Sequence, residues 1–361
     1  MMSLRGLTST AVIMIALVGC NAPANPGRPQ PKQIFHEDLG PLGFRTKPSG
    51  QIVGIFTNVN FLTDNLILVT INDRVYGPVE KTNTDQPLSK LLLFDVSQNR
   101  LLNAASMPVE KDRGAVRALE GGRFALLNEE GLRICTVEFA CGLPFATGGP
   151  LFVSPEGTKI VVGGNGQKEQ KLLDGMTLEE LDRFPFENPS VIPGDRALIV
   201  ARPQREVYAR VPGQPDRQLP FERLNLWPEE RFINRDSVAG FESATVLAIV
   251  KVDGTVLFRV PVESRWGISE VVASASGTRF CFHEGGYTPW NSFVNFLDVD
   301  SGRPINVESV KIMSSDNGNS LFQLVWDPRP YVGMPITPAL SPNGQRLAIV
   351  RHGILEIFAI P

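Results

Sequence analysis

Three observations predict an all-β protein built as a seven-bladed β-propeller of four-stranded antiparallel blades. A unit made of a short strand, a tight turn and a strongly apolar strand recurs seven times along the chain. The turns sit at Thr63, Glu120, Pro155, Pro193, Arg235, Ala275 and Pro342. Most of the gaps between them fall near the roughly 40-residue period of a four-stranded blade. Finally, strands such as ILEIFAI at 354–360 are apolar on both faces except at Glu356. A strand with one face in water would alternate, so two-sided strands imply sheets sandwiched between other sheets.

The clearest copies of the unit are SPEGTKIVV from Ser154, SASGTRFCF from Ser274 and SPNGQRLAIV from Ser341. Looser copies start at Leu62, Leu119, Ile192 and Asn234. Gly, Pro, Asn and Asp supply the dihedrals that tight turns require, and the chain holds 33 Gly and 29 Pro. Each copy is followed by a third strand and, in all but the last, by a fourth. This second hairpin is expected in KLLLFDVSQNRLLNAASMP (90–108), VLAIVKVDGTVLFRVPV (246–262) and FVNFLDVDSGRPINVESV (293–310). The last blade runs out one strand short, and QIVGIF (51–56) is expected to close the ring as an N-terminal strand, hiding an open sheet edge. The best helix candidate is TLEELDRF at 177–184. In blade pattern, with Ser-Pro-x-Gly as its most specific element, residues 51–361 resemble the WD40-like and YVTN-type propellers of bacterial envelopes. True WD40 repeats end the third strand in Trp-Asp, whereas Trp326-Asp327 is expected in an insertion.

Ahead of this body the chain begins MMSLRGLTSTAVIMIALVGC. One early charge, a short apolar run and a small-residue exit describe a secretory signal over residues 1–19. The run is too short for a membrane-spanning helix, which needs roughly 20 apolar residues. Leu17-Val18-Gly19-Cys20 resembles the lipobox of bacterial lipoproteins. That resemblance implies cleavage after Gly19 and lipidation of Cys20, and several acyl chains give stable anchoring. In proteobacterial lipoproteins an aspartate after the cysteine marks inner-membrane retention, so Asn21 implies the outer membrane. Residues 20–50 then form the lipidated cysteine and a Pro-rich tether, expected to be extended and disordered.

Composition narrows the function. The chain carries 35 basic and 38 acidic residues, with no basic block of the kind nucleic-acid binding requires. Cys135 and Cys141 flank TVEFA on an expected hairpin, and an oxidising compartment permits a disulfide there. Cys281 reads as a small buried hydrophobe.

In a four-stranded blade, the loops between strands two and three and those between blades share one face. Three insertions map to it: 72–89 in blade 1, 283–292 in blade 6 and 313–333 entering blade 7. So do Trp227, Trp266, Trp290 and Trp326. Long loops on a rigid scaffold commonly carry binding surfaces. The candidate binding residues are Arg74, Tyr76, Tyr287, Trp290, Trp326, Asp327, Arg329 and Tyr331. Aromatics stack on sugars or fill protein pockets, and arginines meet carboxylates or phosphates.

His283 beside Glu284 is the candidate pair for acid–base chemistry. His36, His283 and His352 lack a second His or Cys at metal spacing, so no metal and no cofactor is expected. GGNGQ (163–167) reads as a loop, and DVDSG (298–302) and SSDNGNS (314–320) as turns, since neither completes a calcium loop ending in Glu. No G-x-S-x-G elbow is present. Two functions follow as expectations. One is a lipid-anchored binding or scaffold module for an envelope protein or glycan. The other is an envelope glycan lyase or hydrolase, with His283, Glu284, Tyr287 and Arg329 at the channel mouth.

Overall fold

The Ser-containing turns show why the unit repeats. At each, the serine backbone N–H donates to the carbonyl of the residue five positions on: Ser154 to Lys159, Ser274 to Arg279 and Ser341 to Arg346, at 2.9, 2.9 and 3.0 Å. The backbone N–H groups of Lys159, Arg279 and Arg346 return bonds to the serine Oγ at 3.1, 3.2 and 3.0 Å. The turn thus satisfies the polar groups that a hairpin end would otherwise leave open. Thr63 does the same for Leu66 at 3.0 Å.

The computed structural model describes residues 32–44, 52–76, 89–108, 115–163, 168–185, 191–201, 206–221, 231–243, 245–262, 268–284, 308–326, 338–351 and 353–361. Strand β1 is Lys32–Asp38. Blade 1 holds β2 (Ile52–Phe61), β3 (Leu66–Tyr76), β4 (Ser89–Asp95) and β5 (Arg100–Met107). Blade 2 holds β6 (Val116–Leu119), β7 (Arg123–Asn128) and β8 (Gly131–Cys135). Blade 3 holds β9 (Phe152–Val153), β10 (Lys159–Gly163), β11 (Glu169–Asp174) and β12 (Glu180–Pro185). Blade 4 holds β13 (Val191–Pro193), β14 (Leu198–Ala201), β15 (Val207–Arg210) and β16 (Arg217–Leu219). Blade 5 holds β17 (Arg231–Phe232), β18 (Ser237–Ser243), β19 (Val246–Lys251) and β20 (Val256–Pro261). Blade 6 holds β21 (Ile268–Ala273), β22 (Arg279–Glu284), β23 (Glu308–Ser314) and β24 (Ser320–Trp326). Blade 7 holds β25 (Ala339–Leu340), β26 (Arg346–Arg351) and β27 (Ile354–Ala359), with β1 as its fourth strand. Every pairing is antiparallel between strands adjacent in this order.

All seven expected turn positions fall at the junction between the first and second strands of a blade. Four expectations are corrected. The ring is closed by Lys32–Asp38, within the stretch assigned to the tether, and not by 51–56. Residues 52–61 are instead the innermost strand of blade 1. Blade 6 takes its third and fourth strands from 308–326, so SSDNGNS is their hairpin turn and 313–326 is no insertion. That register seats Val310, Ile312, Phe322 and Leu324 in one apolar cluster. The helix expected at 177–184 is a tight turn followed by β12, because Asp174 Oδ1 accepts from the backbone of Met176 and Thr177 and bends the chain there. Blade 2 has three strands, its fourth reduced to the isolated bridges Leu132–Phe145 and Cys135–Cys141. Gly142 and Pro144 interrupt that segment, and Pro cannot donate to a sheet ladder. A Cys135–Cys141 disulfide holds it to β8.

The core is divided between the blades. Each of the seven buried apolar clusters among the described residues lies at one junction between neighbouring blades. β26 shows the principle: Leu347 and Ile349 face blade 6, while Ala348 and Val350 face blade 1. Period-two alternation with both faces apolar produces this.

The first turns of the blades also touch around one face. The backbone N–H of Glu120 donates to the carbonyl of Gly157 at 3.2 Å, and that of Ser276 to the carbonyl of Pro342 at 2.8 Å. Asp195 pairs with Arg235 at 3.2 Å. Asn343 donates its backbone N–H to Asp64 Oδ1 at 2.9 Å, linking the last blade to the first. Glu156 sits in this ring with its Oε2 buried and unbonded. Burial pushes its carboxyl up from the usual range, and the nearby Asp195 adds to the shift while Arg235 opposes it.

Two predictions follow from this ring. Gly157 has φ +76°, and a Cβ there would lie 2.5 Å from the Glu120 nitrogen. Gly213 has φ +78° with nothing within 4 Å of its Cβ position. Gly213→Ala should cost only the left-handed strain, ~1–2 kcal/mol; Gly157→Ala should cost measurably more, because blades 2 and 3 must also part. Parallel thermal melts of the two variants check this. For Glu156 the folded state holds its proton to higher pH than the unfolded chain. The native protein therefore binds more protons between the two values, and stability falls as pH rises through them. Glu156→Gln should raise the melting temperature at pH 7. The gain should shrink as pH drops toward 4, which melts across that range will measure.

Candidate functional site

The two faces of the propeller differ in their connections. On one, every junction is a tight turn, none longer than 211–216. On the other, connections vary widely in length, from two residues at 129–130, 244–245 and 352–353 to the long segments 39–51, 77–88, 108–115, 220–230, 285–307 and 327–338. The connections 39–51, 77–88, 285–307 and 327–338 begin and end in blades 6, 7 and 1. These blades are neighbours: the inner strands β21 and β25 pack together, as do β25 and β2. The connection 220–230 joins blades 4 and 5, outside that sector.

The expected site residues divide three ways. Arg74 and Tyr76 lie on β3, opposite Gly54 and Ile52, and not in an insertion. The pairing simply runs ten residues along β2, past the polar Asn72 and Asp73, because the facing strand continues too. His283 and Glu284 are likewise the last residues of β22, opposite Val310 and Ser309, not part of a loop. Trp326 ends β24, opposite Glu308, at the rim of the long-connection face. Tyr287, Trp290, Asp327, Arg329 and Tyr331 lie outside the described residues, as do Trp227, Trp266 and His352.

His283 and Glu284 are buried, with 3 % and 6 % of their surface exposed. Successive residues of a strand point to opposite faces. His283 therefore follows Cys281 into the layer between blades 6 and 7, and Glu284 follows Phe282 into the layer between blades 5 and 6. Glu284 forms an ion pair with Lys311 of β23, whose ammonium lies 6.0 Å from the Phe282 ring. The pair neutralises a carboxylate that burial would otherwise penalise. The two residues thus do not form the acid–base pair expected of them. An equivalent pair, Arg351 with Glu356, occupies blade 7. Among the described residues no group of three or more His, Cys, Asp or Glu side chains is placed to hold a metal ion.

Sequence reasoning missed the inter-blade side-chain bonds. Asn58 Nδ2 donates to the Val116 carbonyl at 3.0 Å, and Gln170 Oε1 accepts from the Val191 backbone at 2.9 Å. Both are buried amides, but β2 also carries Thr57 and Asn60 and β11 reads EQKLLD, so nothing in the sequence set either residue apart from its polar neighbours.

No family model matches the chain, and no curated protein does. Among solved structures, BamB from Moraxella catarrhalis is 10 % identical, with a TM-score of 0.45, covering 86 % of this chain and 100 % of its own. Hsv2 of Kluyveromyces lactis, in the form with a complete loop 6CD, is 12 % identical, with a TM-score of 0.51, covering 82 % of this chain and 90 % of its own. At that identity the likeness is one of fold: this chain shares its architecture with Hsv2 and is in its own right an all-β propeller of seven blades.

Proposed function

We propose that this protein is a lipid-anchored scaffold of the bacterial cell envelope, held in the outer membrane through Cys20, that binds an envelope protein or glycan through its long-connection face. The segregation of connections carries this reading. A face made only of tight turns spends its polar groups on neighbouring turns, as Glu120, Ser276 and Asn343 do. The opposite face carries the variable-length chain that binding surfaces are built from. The resemblance of Leu17–Cys20 to a lipobox supports the anchor.

Two experiments test it. Cys20→Ser should move the protein from the membrane fraction to the soluble fraction of lysed cells, and unchanged fractionation would remove the anchor from the proposal. A photo-crosslinking residue at Trp326, on the rim of the long-connection face, should yield a discrete adduct in intact cells. The same label at Gln214, exposed on the tight-turn face, should not. Equal labelling from both positions would sink the assignment of the binding face.

A further inference from the structure

The strand that closes the ring also fixes where the tether is attached. β27 starts at the long-connection face, where the Leu39 backbone donates to the Gly353 carbonyl at 2.9 Å. It ends at the tight-turn face, where the Ile360 backbone donates to the Gln345 carbonyl at 2.8 Å. β1 runs antiparallel to it, with Lys32 opposite Ala359 and Asp38 opposite Ile354. The chain from the N-terminal side therefore enters at Lys32, on the outer rim of blade 7, at the tight-turn face.

We infer that the tight-turn face is turned toward the bilayer and the long-connection face away from it. This orientation rests on the lipidation of Cys20 proposed above. Residues 21–31 lie between that cysteine and β1. Even as an extended polyproline-like segment they reach only about 34 Å, at ~3.1 Å per residue. To present the other face to the membrane, the segment would first have to run back along β1. That path is roughly 20 Å at ~3.3 Å per residue and would leave about 14 Å of the segment's reach. The tight-turn orientation leaves the segment its full length, so the reversed orientation is disfavoured by the tether. β1 is not free to slide or peel to lengthen it. Phe35 is buried and packs edge-on against Phe94 of blade 1 at 5.8 Å, and Leu39 and Phe44 are buried in the same cluster.

Charge has no part in this arrangement. The tight turns carry Asp64, Glu120, Glu138, Glu156, Glu179, Asp195, Asp216, Asp236, Asp253 and Asp316 against Arg196 and Arg235. The arginines at the strand ends, Arg123, Arg279 and Arg346, turn their guanidinium groups onto turn carbonyls, and the turns themselves are predominantly acidic, which does not favour anionic lipids. The covalent link sets the orientation, so it should not depend on salt. The partner of the long-connection face is accordingly a molecule or domain standing off the membrane, not a lipid headgroup.

The test measures height above the bilayer for the full lipidated chain in vesicles whose headgroups carry an energy-transfer acceptor. A fluorescent amino acid is placed at Asp253 or Thr245, at opposite ends of blade 5, and at Glu138 or Glu129, at opposite ends of blade 2; all four positions are exposed. In both pairs the tight-turn member, Asp253 or Glu138, should lie closer to the acceptor plane, by up to roughly 20 Å, the length of a strand. Equal or reversed heights in either blade, with the protein on the membrane, overturn the orientation. Failure of the wild-type chain to bind vesicles overturns the anchor instead, and Cys20→Ser provides the unbound baseline. A long Gly-Ser insertion after Gln30 should abolish the height difference while leaving the chain bound. A difference that persists would show that something other than the tether sets it and would refute the proposal.

Discussion

Everything in this molecule depends on sheets that are apolar on both sides. A blade such as blade 7, with Leu347 and Ile349 on one face and Ala348 and Val350 on the other, cannot stand alone in water. Each blade must be covered twice, and only a closed ring covers all of them. A ring missing one strand would expose apolar surface and an unpaired edge, both liabilities for aggregation. The junction between blades 7 and 1 is therefore where the fold is completed. It is built with Phe35, Leu39 and Phe44 from the N-terminal segment. These residues come from the opposite end of the sequence to β26 and β27, so the pairing that closes the ring is one of high sequence separation.

The parts of the fold that were legible are those encoded locally. A Ser or Thr at the first position of a turn, with Gly, Asn or Asp after it, satisfies its own backbone within five residues. The pattern is thus visible without tertiary context at Thr63, Ser154, Ser274 and Ser341, and Gly-Gly, Pro-Gly and Asn-Arg-Asp turns mark the other three blades. Outer strands were harder to read. In β1 only Phe35 is fully buried, the rest of KQIFHED being partly or wholly exposed. Its pattern is that of a polar segment, and nothing local marks it as the closing strand. Blade 6 was misread for another reason. DVDSG and SSDNGNS are both competent turns, and only the packing of Ile312 and Phe322 against blade 7 selects the second.

The candidate site was legible as a face rather than as a set of side chains. Sorting connections by strand order placed 77–88 and 285–307 on one face, but it also put SSDNGNS there, where the structure makes it a hairpin turn on the opposite face. Assigning residues within the connections required knowing where strands stop, and polar residues proved a poor guide. Glu284 stays in β22 because Lys311 on the adjacent strand neutralises it, and Arg351 does the same for Glu356. Cross-strand partners of this kind cannot be paired from sequence until the register is known. His283 and Glu284, adjacent in sequence, end in different inter-blade layers for the same period-two reason that makes the blades two-sided.

The polarity of the ring follows from these constraints. Because the fourth strand of a blade always runs from the tight-turn face to the long-connection face, borrowing that strand from the N-terminus fixes the side on which the chain enters. Had the ring been closed by a C-terminal strand instead, the chain would enter β2 from the opposite face. The tight-turn face is then doubly committed: its turns hold neighbouring blades together, and the chain enters β1 at its rim. Variation in the connections on that side would disturb inter-blade bonds such as Asn343 to Asp64. On the other side, connections of any length can be inserted between fixed strand ends at small entropic cost, since closure grows only with the logarithm of loop length. With the anchor proposed at Cys20, the freedom to vary and the direction away from the membrane coincide on one face, the face proposed for recognition.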